Sequence, residues 1–400
     1  MPNPANDETA RFHRIVRQGT LEELRAALAG GANVNAPGHC GRTALMLAVC
    51  TLNLEKVQLL VKHGADIELT DDFNETALRT AVDVDFADGV RYLLNLGAER
   101  GYHPKYPLKE RRYDGLGPAT PDDLKQLLSE VPQFRPTISE VQSLEVLKLF
   151  LEAGDDLNLA PTELKRAFVG LEAEAELEST RSDYQRHKLP RFGTRNPERM
   201  DLPFWQAMIR AGCRAYDART KLDDGPYATA EPVWCYHRFG STLTPLDDGR
   251  YVQIGGEHED HYDQDFCIYN DVVIHDGRGG FEIYGYPEDV FPPTDSHTAT
   301  LCPDGVYIVG CLGYPIQRLP GFTPVFRLRL NTWEIEPIAT TGDMPGWIYK
   351  HSARYNAARH AICITGGELY VVDEPDKPRL VPNERQYELD LSQLHWQRFD

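Results

Sequence analysis

Residues 43–65 read TALMLAVCTLNLEKVQLLVKHGA. The stretch opens with Thr43-Ala44-Leu45, passes through an amphipathic run from Leu54 to Val61 and closes on Gly64-Ala65. Each feature returns at the same interval. Thr76-Ala77-Leu78 lies 33 residues after Thr43-Ala44-Leu45, and Gly-Ala recurs as Gly31-Ala32, Gly64-Ala65 and Gly97-Ala98, again 33 apart. An amphipathic run precedes each Gly-Ala: 21–28, 54–61 and 89–96. A glycine just past a helix can adopt the left-handed conformation that ends it, and the alanine lets the chain turn close against its neighbour. A threonine at a helix start can accept hydrogen bonds from the free N–H groups there. A fixed period of this length implies stacked helical hairpins, each burying its apolar face on the next.

Period and motifs together resemble ankyrin repeats, in which a β-turn precedes two antiparallel helices. Beyond Arg100 the spacing loosens. Residues 147–154 look like another second helix with its capping glycine, 57 residues after Gly97, and 205–212 look like a further one, 58 residues on. The pattern predicts enlarged, degenerate repeats: a loop over 101–121, helices over 122–128, 143–151 and 162–178, and a helical domain spanning 1–222. A short connection, 223–239, follows.

From Gly240 the pattern changes to short β-type runs separated by Gly, Pro, Asp and Asn. Ser241-Thr242-Leu243, Ser296-His297-Thr298 and Ser352-Ala353-Arg354 recur 55 and 56 apart. Strands ending in glycine recur in step: 250–256 with Gly255-Gly256, 306–310 with Gly310, and 361–367 with Gly366-Gly367. A further strand and an aromatic follow each time: Phe281, Trp333 and Trp396. These units resemble kelch repeats, although Gly310-Cys311 stands where that family has Gly-Gly. The expected fold is therefore α+β and multidomain: a helical ankyrin-like stack, then an all-β kelch-like domain over 240–400 forming a partial propeller of three blades. Three blades are too few to close a propeller. An open set covered by the protein's own helical half, as a monomer, is the expectation; a symmetric homodimer is the alternative.

The chain has 400 residues, with 61 Asp+Glu against 42 Lys+Arg, a formal charge of -19. A hydrophobic content of 41% is ample for a core, and no apolar run reaches the ~20 residues of a membrane helix. Met1 to Arg11 is polar, unlike a signal peptide, and the eight cysteines contain no C-x-x-C pair, so reduced core cysteines in a cytoplasmic protein are expected. Between Gly240 and Asp304 there are 14 acidic residues against Arg250 and Arg278 alone. Such a field repels nucleic acid and favours a basic partner. Residues 181–199 reverse the balance, with six Arg/Lys against Asp183 and Glu198, and read as an exposed connector.

The candidate contact site is the loop after the first double glycine: Glu257, His258, Glu259, Asp260, His261, Asp263 and Asp265. His and carboxylates at this spacing also suit a divalent metal, but consecutive placement on one loop reads better as a solvated or partner-contacting segment. His297 and His351 precede similar strand starts, offset by one in register, and read as core histidines. Glu172, Glu174, Glu176 and Glu178 read as a solvated charge run on a helix. Gly277-Arg278-Gly279-Gly280 reads as a turn. No nucleophile elbow, P-loop or H-E-x-x-H is present. Neither catalysis nor a cofactor is expected.

The coupling of the two repeat types in an acidic chain resembles bacterial immunity proteins that neutralise nuclease effectors of type VI secretion. That resemblance implies a basic toxin as protein partner, with no direct binding to nucleic acid or membrane. A scaffold or chaperone-adaptor and a metal-dependent hydrolase built on the acidic loop are the alternatives.

Overall fold

The computed structural model describes residues 4–102, 135–172, 175–224, 231–258, 265–374 and 377–399. The helix expected over 122–128 and most of the loop expected over 101–121 lie outside the described residues. The chain divides into two compact units, Met1–Leu164 and Lys165–Asp400.

The first unit is a stack of helix pairs: α1 (Pro4–Gln18) with α2 (Leu21–Ala29), α3 (Ala44–Val49) with α4 (Leu54–Lys62), and α5 (Ala77–Asp83) with α6 (Ala87–Asn95). A further second helix, α7 (Leu144–Glu152), packs on α6. The starts are capped as the threonines require. Thr43 and Thr76 hydroxyls accept the Met46 and Arg79 N–H groups at 3.3 and 3.2 Å. Thr20 forms a reciprocal capping box with Glu23, and Asn53, 33 residues on, caps α4 through Lys56 N–H at 3.0 Å. The ends repeat as closely. Gly31, Gly64, Gly97 and Gly154 have φ of 86°, 86°, 85° and 90°. The next N–H in each case reaches back across the turn, Ala65 to Leu60 O at 3.0 Å and Asp155 to Phe150 O at 3.0 Å. Apolar faces of α3–α7 supply the core, with Ala48, Leu60, Leu78, Val90 and Phe150 fully buried.

The second unit holds three antiparallel meanders of four strands. The first comprises Thr242–Pro245, Tyr251–Ile254, Val272–His275 and Phe281–Gly285; the second Thr298–Cys302, Gly305–Val309, Val325–Leu328 and Ile335–Pro337; the third Ser352–Asn356, Ala361–Thr365, Gln386–Asp390 and His395–Phe399. None of these sheets closes on itself among the described residues. The second sheet lies between the other two, and strand alternation shows how. Val306 and Ile308 pack with Val252, Ile274 and Phe291, whereas Tyr307 and Val309 pack with Ile362, Ile364 and Leu389. Two opposite faces are thus covered, so every residue of Gly305–Val309 is buried.

Neighbouring first strands are joined by one repeated device. Gly240, Ser296 and Lys350 share a left-handed φ of 61°, 53° and 53°, and Ser296 N–H donates to Gly240 O at 2.7 Å as Lys350 N–H does to Ser296 O at 2.8 Å. His297 and His351 then occupy the same register rather than registers offset by one. The structural equivalents are Thr242, Thr298 and Ser352, the first residues of their strands, so the histidines immediately precede matching positions. Each Nε2 meets the hydroxyl of the preceding sheet, Thr242 at 2.9 Å and Thr298 at 2.8 Å.

Two expectations are corrected in this unit. The helix expected over 162–178 stops at Phe168, and Val169–Gly170 turn the chain, so Glu172, Glu176 and Glu178 lie beyond the helix rather than on it; Glu174 lies outside the described residues. The basic stretch 181–199 is no loose connector. It begins as a helix, Arg181–His187, capped by Thr180, and ends as a strand, Glu198–Arg199, paired with Gly285 and Tyr284 of the first sheet. Between them Gly193 N–H donates to Tyr286 O at 2.9 Å, and Asn196 bonds both ways with the Ile335 backbone at 2.7 and 3.0 Å. Of its six cations, Arg199 pairs with Glu282 of the first sheet at 2.6 Å and Lys188 with Asp224 at 2.7 Å, while backbone amides and Asn196 supply the fastening between them. No helix among the described residues is long and apolar enough to cross a membrane.

Candidate functional site

Two surfaces are built well enough to act, one in each unit. In the first unit the turns that precede α3 and α5 stand side by side. Asp72 N–H donates to Cys40 O at 2.9 Å, linking one turn to the next. Buried Asp71 shapes the second turn, its Oδ1 accepting the Phe73 and Glu75 N–H groups at 2.9 and 3.0 Å. That organisation presents His39, Arg42, Asp72 and Phe73 to solvent on a rigid base. A second series of links runs behind the turns: Asn35 Oδ1 accepts Asp66 N–H, and Glu68, 33 residues later, accepts Glu99 N–H, both at 2.9 Å. Burial pushes the Glu75 carboxyl above its ordinary range, with Arg79 opposing and Asp71 adding to the effect.

In the second unit, the segments that follow the strand-ending glycines converge on a cavity of about 690 Å³. Gly255-Gly256 lead into the two-residue strand Glu257–His258, which pairs with Cys267–Ile268. Gly310-Cys311 lead to Leu312 and Gly313, and Gly366-Gly367 lead into a hairpin, Glu368–Glu374 with Lys377–Pro382, that belongs to a separate three-stranded sheet with Trp347–Tyr349 and contributes Leu380. At Gly310, with φ 67°, an added Cβ would lie 2.3 Å from Ile348 O, which makes glycine obligatory there.

Of the candidate contact residues, Glu257 is half-buried and lines the cavity, and Asp265 is half-buried beside Phe266, which also lines it. Glu259, Asp260, His261 and Asp263 lie outside the described residues. His258 is a wall residue, only 2% exposed. Its Nδ1 lies 2.5 Å from the Tyr269 hydroxyl, which also accepts the Cys235 N–H at 3.0 Å. Burial, helped by the fields of Arg238 and Arg219, pushes the His258 pKa down to about 3, so the ring is neutral near pH 7. Among the described residues no group of three His, Cys, Asp or Glu could hold a metal ion. Burial pushes the thiols of Cys235 and Cys267 up to about 12 and about 11, which leaves both protonated and poor nucleophiles.

Behind this wall lies an aromatic and ionic hub that sequence reasoning missed. Arg238 makes a bidentate pair with Asp271, its Nη2 2.9 Å from Oδ2, with side chains only 3% and 5% exposed. Trp234 Nε1–H donates to the same carboxylate at 2.7 Å. The Arg238 guanidinium lies 3.5 Å from the Tyr269 ring centre, and Trp234 stacks on Trp205 at 4.6 Å. The signal in the sequence was the density Trp234-Cys235-Tyr236-His237-Arg238 in a segment read as a linker.

A stack of capped helix pairs carrying linked turns defines a repeat protein that binds through an extended, rigid surface. The chain belongs to the ankyrin-repeat family: residues 12–101 match the family model for ankyrin repeats in three copies. The human Notch-regulated ankyrin repeat-containing protein is 41% identical over 87 residues, covering 21% of this chain and 76% of that protein. Mouse protein phosphatase 1 regulatory subunit 27 is 42% identical over 86 residues, 21% of this chain and 56% of its own length. Human mitochondrial disaggregase shares 39% over 72 residues, 18% of this chain and 10% of that protein. The chain thus spans little more than half of the phosphatase regulatory subunit.

Proposed function

We propose that this is a non-catalytic binding protein whose linked repeat turns hold a protein partner. The observation that carries the reading is the capped, turn-linked stack: it fixes an extended surface in advance, so little ordering is left to do on binding. A regulatory subunit among the relatives, by its name, accords with such a role.

Two finer readings rest on this one. The three meanders are read as kelch-like blades of an unclosed propeller, supported by equivalent glycines, left-handed residues and histidine–threonine links in successive sheets. The partner is read as basic, and the protein as one that neutralises it in the manner of an immunity protein, because the net charge is -19 and the acidic excess concentrates at the first sheet.

Stopped-flow association with the purified product of the neighbouring gene tests this. Replacing Glu257, Glu259, Asp260, Asp263 and Asp265 by their amides should slow association at low salt, with the difference closing near ~0.5 M, where screening acts within a few ångströms. Equal rates at low salt remove the loop from the contact. A Phe73→Ala, Asp72→Ala variant that binds like wild type removes the repeat turns.

A further inference from the structure

The described lining of the cavity in the second unit has a charge opposite to that of the chain. The chain carries -19, yet Arg214 and Arg318 line the cavity against one described carboxylate, Glu257, which already has an interaction of its own. Neither arginine forms a salt bridge among the described residues. Arg318 is held ready: its Nε donates to Leu312 O at 3.0 Å and its Nη2 to Gly313 O at 2.9 Å, with Tyr370 5.6 Å from the guanidinium. Nη1 makes no hydrogen bond among the described residues. The underlying loop is fixed too, since buried Asp295 accepts the Gly313 N–H at 2.8 Å. Guanidinium groups anchored in this way recognise carboxylates with little loss of rotamer freedom.

Apart from His237 and His258, the rest of the wall is largely apolar, and so is the rim. Phe266 and Ile268 line the interior, while Phe239 and Leu380 are 62% and 45% exposed. Next to Pro315 in the chain, Ile316 is 94% exposed and Leu319 56%. Large apolar side chains displayed around a concave site mark a docking surface. A volume of about 690 Å³ fits a carboxylate together with a few apolar side chains.

We propose that this cavity binds the C-terminal carboxylate of an apolar polypeptide segment, the carboxylate meeting Arg318 and Arg214 and the preceding side chains covering Phe239 and Leu380. The site stands apart from the repeat turns and does not depend on their proposed role. An acidic protein gains a selective anchor here, because only an anion is favoured at two arginines and only an apolar stem is favoured at the rim.

Calorimetric titration of the full chain with a hexapeptide ending in Val-Leu-Phe, as free acid and as C-terminal amide, tests it. The free acid should bind, and the amide should bind about ten- to a hundredfold more weakly, the range for losing hydrogen bonds to a charged group. Arg214→Gln should weaken the free acid by a similar factor and leave the amide unchanged. This exposed side chain anchors neither the Leu312 nor the Gly313 carbonyl, so an unaltered melt is expected and separates binding from folding. Arg318→Lys, which keeps the charge and loses the fork, should weaken binding less than Arg318→Gln. Equal binding of acid and amide, or no heat from either, overturns the proposal. Binding of 4-phenylbutyrate as tight as that of the peptide overturns its polypeptide part and assigns the site to a free acid.

Discussion

Replacing Gly64 by valine tests the repeat geometry in its simplest form. Gly64 sits at φ 86°, and a Cβ built there meets no atom within 4 Å. The Cβ itself therefore meets no steric conflict, and the backbone term dominates, about 1–2 kcal/mol for an L-residue held in the left-handed region. A β-branched residue belongs at the upper end. The Asn35 Nδ2 bond to Gly64 O, 3.0 Å, is made by the backbone and survives the change. In a unit of roughly this size each kcal/mol moves the midpoint by about 2–4 °C, so the far-ultraviolet melt should fall by about 2–8 °C. Gly64→Asn supplies the control, because asparagine tolerates this conformation and should fall by less. A melt unchanged for valine, or equal losses for valine and asparagine, would refute the assignment of Gly64 as a left-handed cap.

Other outcomes follow from the remaining links. Arg238→Met leaves Asp271 buried without its cation and should cost about 3–5 kcal/mol in urea unfolding; a further Asp271→Leu should recover part of that loss. Thr76→Ala should cost about 1 kcal/mol by freeing the Arg79 N–H, measured in the same way. His258, His275, His297 and His351 have folded pKa values pushed down to about 3, chiefly by burial, from the ordinary value of 6.5. Their contribution is complete above pH 6.5 and is lost as the pH falls toward 3, since the unfolded chain binds the extra protons. Each histidine steepens the loss by about 1.4 kcal/mol per pH unit, and His297→Gln should flatten the measured slope by one such increment.

The two units differ in how much of them could be read directly, and the reason is physical. Helix caps are local. Thr43, Thr76, Gly31, Gly64 and Gly97 act on atoms within five residues, so the same residues must stand at the same places and the 33-residue period survives in the sequence. The meanders are joined by contacts between sheets, through backbone groups that accept several side chains. Left-handed φ occurs at Gly240, Ser296 and Lys350 alike, three residues with nothing in common on paper. Aligning the serines at 241, 296 and 352 therefore misplaced the histidines by one, although the period of about 55 residues and the strand-ending glycines were correctly legible.

The candidate sites follow the same division. Arg238–Asp271, Arg214 and Arg318 lie between 24 and 104 residues apart in the sequence and carry no spacing of their own. Only Arg318 lies in a segment that leaves a strand-ending glycine, Gly310; Arg214, which lines the same cavity, comes from the start of a helix more than a hundred residues earlier. The acidic loop was conspicuous because its charges are adjacent, yet its second member, His258, turns inward. The two-residue pairing with Cys267–Ile268 forces successive side chains to opposite faces, so of the adjacent Glu257 and His258 one must face the interior. Charge density along a chain thus identifies where a surface begins, whereas the glycines decide which residues of that surface become walls. A binding site in such a fold is best sought at the residues after each repeated glycine, where the scaffold is shared and the side chains are free to differ.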